Sequence, residues 1–184
     1  HKGGRLAGFL MIATIPVVIA GFFGQSLIEH TLRTAEIVGW STIGFGVLLF
    51  LADRGGMRIL RLEHMNVPNA VIIGLAQVLA LIPGTSRSGI TITAARILGY
   101  DRTDAARFSM LLSIPAITGA GLLIGLQLLE INSAILTRDA LIAAAFSFVT
   151  ALAAIALFLR WLRFAGFGAF VFYRIASGGL LLAW

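Results

Sequence analysis

One polar turn, Pro83-Gly84-Thr85-Ser86-Arg87-Ser88-Gly89-Ile90-Thr91, interrupts apolar sequence on both sides. The flank before it, Val71 to Ile82, holds Gln77 as its one strongly polar residue. Irregular backbone at membrane depth is tolerated only when it is buried in protein or faces a watery cavity. The turn therefore constrains everything around it, because the apolar segments must enclose it. No acidic residue lies between Glu63 and Asp101, so neither Arg87 nor Arg96 has a carboxylate nearby in sequence. An arginine within a bilayer costs about 2.5–3.5 kcal/mol on insertion scales. A cost of that size points to an anionic ligand. Arginine offers a planar, bidentate fork suited to phosphate, and the hydroxyls of Ser86, Ser88 and Thr91 can donate to the same oxygens.

The surrounding sequence is that of a polytopic membrane protein. Hydrophobic residues make up 59% and charged residues 12%, and several apolar runs reach the roughly 20 residues needed to span a bilayer. Cysteine is absent, which excludes a disulfide framework, a thiolate metal site and a cysteine nucleophile. The net charge of +6 sits mostly in short loops between apolar runs, where it sets topology and does not imply nucleic acid. His1, His30 and His64 are far apart in sequence, and no metal site complete within the chain is expected. The chain opens on His1 with no signal-peptide pattern, and is expected to be a piece of a longer protein or a processed one.

Spanning helices are predicted at about 6–28, 36–52, 107–129, 139–160 and 166–184. Pro16 and Pro115 fall inside apolar runs, where neighbours can satisfy the freed carbonyls. Small residues through Gly39–Gly46 and Gly119–Gly125 suit close helix packing. The region 68–98 differs. Two half-length helices, about 69–82 and 87–98, flank the turn. The first would be roughly 21 Å long at about 1.5 Å per residue, short of the hydrocarbon thickness of about 30 Å. This reads as a re-entrant hairpin. Loop charge agrees. With both hairpin ends on one side, Lys2, Arg5, Arg54, Arg58, Arg61, Arg102, Arg107, Arg160 and Arg163 share a compartment, against Arg33 and Arg138 opposite. That bias marks a cytoplasmic face and places the N-terminal side there.

At the tip, Pro83 ends a helix ladder and Gly84 permits unusual dihedrals. Ser86 or Ser88 can cap the second half-helix, whose free N–H groups and dipole then make an anion site. Broken helices in transporters use the same device. The alternative from these residues alone is a tight turn whose arginine snorkels to the interface.

Pro83-Gly84-x-Ser86-Arg87-Ser88-x-x-Thr91 resembles the PGxSRSxxT motif of the undecaprenyl-diphosphate phosphatase, or bacitracin-resistance, family. Gln77–Ile82, Arg107–Pro115 and Phe170–Arg174 are similar to that family too, so the likeness covers nearly the whole chain. The resemblance implies an all-α, multi-pass protein of the bacterial inner membrane. It implies a hydrolase that removes one phosphate from undecaprenyl diphosphate, in recycling of the peptidoglycan lipid carrier. It also implies an architecture of inverted repeats, each with a re-entrant hairpin. Arg87 and Ser86 would then act on the phosphate in catalysis, with Gly84, Thr85, Ser88 and Thr91 binding substrate. A divalent cation, Mg²⁺ or Ca²⁺, would offset substrate charge. The family's earlier acidic E-x-x-x-E motif and its Ser-Ser-Thr-Gly-His run have no counterpart here. The chain is thus expected to be one membrane domain, 1–184, equivalent to the C-terminal two-thirds of the family fold. The metal ligands and the nucleophile are expected in the missing part. Expected partners are the polyprenyl diphosphate, membrane lipids and a second copy in a homodimer. A transporter or flippase for an anionic lipid or solute is the rival reading.

Other residues carry weaker signals. Gln77 could bind substrate or bridge helices. Arg174 could line the phosphate cavity, pair with an absent carboxylate, or snorkel. Arg96 is expected to snorkel at the base of the hairpin. Phe164, Phe167, Phe170, Phe172 and Tyr173 are expected to face lipid or pack, and a prenyl chain could lie along them. His30 and His64 are expected to be solvated. Asp101 and Asp104 are expected as cap and first-turn acid of the following helix.

Overall fold

A computed structural model of the chain describes residues 2–30, 32, 34–56, 59–131 and 134–183. Among the residues weighed above, His1, Arg33 and Arg58 lie outside the described set, as do the side chains of Lys2 and His30. The described residues form seven α-helices: α1 (Lys2–His30), α2 (Ala35–Gly55), α3 (Val67–Val78), α4 (Arg87–Ile97), α5 (Arg102–Ile131), α6 (Ala134–Trp161) and α7 (Gly168–Ala183). Three described segments are long and apolar enough to cross a membrane: Gly3–Gly24, Ala35–Gly55 and Arg138–Trp161. None of the most apolar stretch of α6 is buried, and Leu141, Phe146, Phe148 and Leu157 all project outward. An apolar helix exposed over its length is built for hydrocarbon, not for water.

Boundaries follow local chemistry. Thr34 caps α2 by accepting from Ile37 N, and Asn66 caps α3 by accepting from Asn69 N. Asp101 accepts from Thr103 N ahead of α5, and Asp104 in its first turn accepts from Leu62 N. Pro16 and Pro115 are accommodated inside α1 and α5.

α2 packs chiefly on α7, and α1 on α3. The α2–α7 crossing is close because both sides are glycine. A Cβ at Gly178 would sit 2.9 Å from Gly39 O, and one at Gly39 would sit 2.6 Å from Leu182. Gly119, Gly121 and Gly125 behave differently from expectation. No described atom beyond their own stretch of helix lies within 4 Å of where their Cβ atoms would be, so they form no such seam with the described residues.

α3, a 3₁₀ turn at Leu79–Leu81 and α4 form a helical hairpin. Its two ends meet: Asn69, at the start of α3, donates to the Tyr100 hydroxyl just beyond α4 at 2.8 Å. The base of the hairpin corrects the expectation for Arg96. Its side chain does not snorkel but is fully buried, 3.3 Å from Asp53 Oδ1 at the end of α2. Its guanidinium also donates to the carbonyls of Tyr100, Asp53 and Gly56. Arg102 completes the group, with Nε and Nη2 donating to the two Asp53 oxygens at 2.6 and 2.7 Å. The carboxylate absent from the local sequence arrives from 43 residues away. A buried arginine is tolerable only with such pairing.

Candidate functional site

The tip of the α3–α4 hairpin is a turn of unusual backbone. Gly84 has φ +89°, and Ser86 is the one described non-glycine residue with positive φ, at 66°. Such a conformation costs a side-chain-bearing residue about 1–3 kcal/mol and persists only where surroundings impose it. Here the surroundings are explicit. Ser41 and Thr42 of α2 donate to the carbonyls of Pro83 and Gly84. Arg174 of α7 donates to the same Gly84 carbonyl at 2.8 Å and to Thr42 O at 3.2 Å. A Cβ on Gly84 would overlap Ser41, Thr42 and the Val38 carbonyl, so the loop lies flat on α2. Ser86 then caps α4, its hydroxyl accepting from Gly89 N at 3.3 Å.

Arg87 is the first residue of α4. Its Nε donates to Gln77 Oε1 at 3.1 Å, joining the two arms of the hairpin. Gln77 is fully buried, and its Oε1 bridges to the arginine while its Nε2 stays available. Three polar atoms in this region are buried without a hydrogen-bond partner: Gln77 Nε2, Thr85 Oγ1 and Arg87 Nη2. Orphan buried donors are rare and call for a ligand, ion or water. Thr91 lies one turn below the tip. Its buried hydroxyl meets the Arg87 and Ser88 carbonyls and Ser109 Oγ, at 3.0, 3.2 and 2.7 Å. It thus ties α4 to α5 and does not face outward.

A cavity of about 480 Å³ opens on the other side of the tip. Gly84, Ser86, Ser88, Arg174 and Thr42 line its polar end; Ile92, Met110, Ile155, Phe158, Phe167 and Phe170 line the rest. The aromatic run expected to face lipid or to pack therefore divides: Phe164 and Phe172 are exposed, while Phe167 is buried in the cavity wall.

The structure thus gathers Gly84, Ser86, Ser88 and Arg174 on one side of the tip, and Gln77 and Arg87 on another. His64 is exposed at the end of a short 3₁₀ turn, Leu62–His64, its Nδ1 accepting from Arg61 N at 3.0 Å. Ser41, Thr42 and Ser109 were not singled out from sequence. Their signal was hydroxyls inside otherwise apolar spans. The donor set does not suit a bound Mg²⁺ or Ca²⁺. These cations want carboxylate and carbonyl oxygens, whereas the tip presents guanidinium, hydroxyl and N–H groups. Among the described residues no three His, Cys, Asp or Glu side chains cluster as a metal site.

Known proteins are similar to this sequence. The family described as "Bacitracin resistance protein BacA" matches residues 1–180. A protein of Rhodospirillum rubrum named undecaprenyl-diphosphatase 1 is 47% identical over 98% of this chain and 64% of its own length. The undecaprenyl-diphosphatase of Alteromonas mediterranea is 52% identical over 97% of this chain and 67% of its own length. That of Ruegeria pomeroyi is 48% identical over 98% of this chain and 68% of its own length. The chain thus spans about two-thirds of the relatives it matches, and slightly less of the first.

Proposed function

The chain belongs to the bacitracin-resistance protein (BacA) family, and from that premise we propose that it carries the phosphate-handling part of a membrane undecaprenyl-diphosphatase. The carrying observation is Arg87: fixed by Gln77, half-buried at the N-terminus of α4, with Nη2 unpartnered. The free N–H groups of that helix start add positive potential. Arg174 brings a second guanidinium to the same tip. Two cations and a helix N-terminus suit a diphosphate better than a singly charged anion.

The reaction is hydrolysis of the anhydride. A water oxygen bonds to the terminal phosphorus, and the bond from that phosphorus to the bridging oxygen breaks. The electron pair stays on the bridging oxygen of the lipid monophosphate. Both water protons leave on the released dihydrogen phosphate. Enzymes of phosphoryl transfer act mainly by positioning and by neutralising charge. Here Arg87 and Arg174 neutralise, Gln77 orients, and the hydroxyls of Ser86 and Ser88 fix the oxygens. A divalent cation would offset substrate charge, and its ligands would be groups other than the guanidiniums and hydroxyls of this tip.

The α3–α4 hairpin is read as re-entrant. Eleven residues of α4 make about 16 Å, well short of a bilayer, and the joined ends at Asn69 and Tyr100 return the chain to one side. The loop charge bias then sets that side as cytoplasmic, with the protein in a bacterial inner membrane.

The test is release of inorganic phosphate from a short polyprenyl diphosphate, with and without Mg²⁺ or Ca²⁺. The arms are this chain, this chain joined to the part of a relative it does not match, and the Arg87→Ala variant of each. Release lost in Arg87→Ala supports the reading. Full release in that variant, or movement of intact lipid without hydrolysis, overturns it in favour of transport.

A further inference from the structure

The two guanidiniums reach the hairpin tip from different sides. Arg87 points to Gln77 on α3. Arg174 lies against Gly89, where an added Cβ would sit 2.9 Å from its Nη1. Residues 87 and 89 are about 200° apart around a helix, so the arginines bracket the start of α4 from nearly opposite faces. The cavity lies on the Arg174 face alone, and neither Gln77 nor Arg87 lines it.

We propose that this cavity holds the first isoprenoid units of the lipid, so that Arg174 binds the lipid-linked phosphate and Arg87 the terminal one. The inference rests on the diphosphatase reading and gives that site a direction. The cavity is cationic and hydroxyl-bearing at one end, apolar and aromatic beyond, the order of groups in a prenyl phosphate. Its volume of about 480 Å³ lies within the usual range for small-molecule sites, about 300–1,000 Å³. Phe158 and Phe170 stand edge to face at 5.1 Å and give the wall a fixed shape. A chain drawn from hydrocarbon gains little from the hydrophobic effect here, as lipid tails are already apolar. The cavity therefore positions the lipid, and through it the scissile bond. In that register Arg174 neutralises the departing lipid phosphate while Arg87 holds the phosphoryl group that water attacks.

The test uses binding to the solubilised chain of farnesyl phosphate and, separately, inorganic phosphate. Ala154 lines the cavity from an exposed face of α6, so Ala154→Trp fills it without disturbing a core. That variant is expected to weaken farnesyl phosphate about tenfold, the size of an overpacking penalty, and inorganic phosphate by less than about twofold. Arg174→Ala is expected to weaken farnesyl phosphate more than inorganic phosphate. As a second measurement, a farnesyl diphosphate analogue with a diazirine at its chain end is expected to label Phe158 or Phe170. Unchanged farnesyl phosphate binding in Ala154→Trp, or labelling confined to other helices, overturns the assignment. Phosphate release from farnesyl diphosphate is read separately, on the chain joined to the part of a relative it does not match. If it is absent while the binding pattern holds, the hydrolase fails and the cavity stands; if it is present with no chain-dependent binding, the cavity fails and the hydrolase stands.

Discussion

Arg87 Nε donates to Gln77 Oε1 across 3.1 Å, so the arm entering the turn orients the cation that begins the arm leaving it. Gln77 is therefore a positioning residue. Gln77→Ala is expected to lower phosphate release about 10–100-fold, from the loss of a hydrogen bond to a charged group. Gln77→Glu is expected to lower it further, because a carboxylate would neutralise the arginine needed for the substrate. Steady-state kinetics on both variants, beside a thermal melt to confirm folding, check this. Equal activity of Gln77→Glu and wild type would refute the role.

Arg87→Ala removes a cation placed where phosphate charge gathers. Release is expected to fall by at least about 100–1,000-fold, as for other preorganised donors to a developing anion. Arg87→Lys is expected to recover only part, since a point charge cannot reproduce the fork. Membrane insertion, followed by fractionation, is expected to be unaffected. A lysine variant with full activity would show that charge alone suffices.

Gly84→Ala puts a Cβ into Ser41, Thr42 and the Val38 carbonyl at a backbone φ of +89°. It is expected to cost about 1–3 kcal/mol in strain alone and to lift the tip from α2. A lower melting temperature in detergent together with lost activity checks it. An unshifted melt would mean that the loop can settle elsewhere.

Asp53→Ala leaves Arg96 buried without its carboxylate. A loss of about 3–5 kcal/mol is expected, read by denaturant unfolding in mixed micelles. The paired replacement Asp53→Leu with Arg96→Met is expected to recover much of it, because no fully buried charge is then stranded and Arg102, partly exposed, can turn to water. A double variant no better than Asp53→Ala would show that the arginine's backbone contacts matter more than the ion pair.

The site was legible in sequence where chemistry is local. The Pro83-Gly84 break, the Ser86 cap and the cationic Arg87 all act within a few residues, and the helix boundaries near them follow. What the sequence hid was long-range pairing. Asp53 meets Arg96 across the hairpin base, and Ser41, Thr42 and Arg174 meet the tip from helices far along the chain. Arg96 looked unpaired because its partner is 43 residues distant. The glycines of α5 looked like a packing seam because spacing shows small residues but not what lies opposite them.

The turn also has a chemical polarity that follows from how it is pinned. The carbonyls of Ile82, Pro83, Gly84, Ser86 and Arg87 all accept hydrogen bonds from the protein itself. With its backbone acceptors spent inward, the tip offers an arriving ligand chiefly donors. A sugar, an ammonium group or a bare metal ion would find few oxygens to hold it, and a protonated phosphate would lose the use of its own hydroxyl. The surface thus sorts by ionisation, favouring the most fully charged form of whatever anion reaches it.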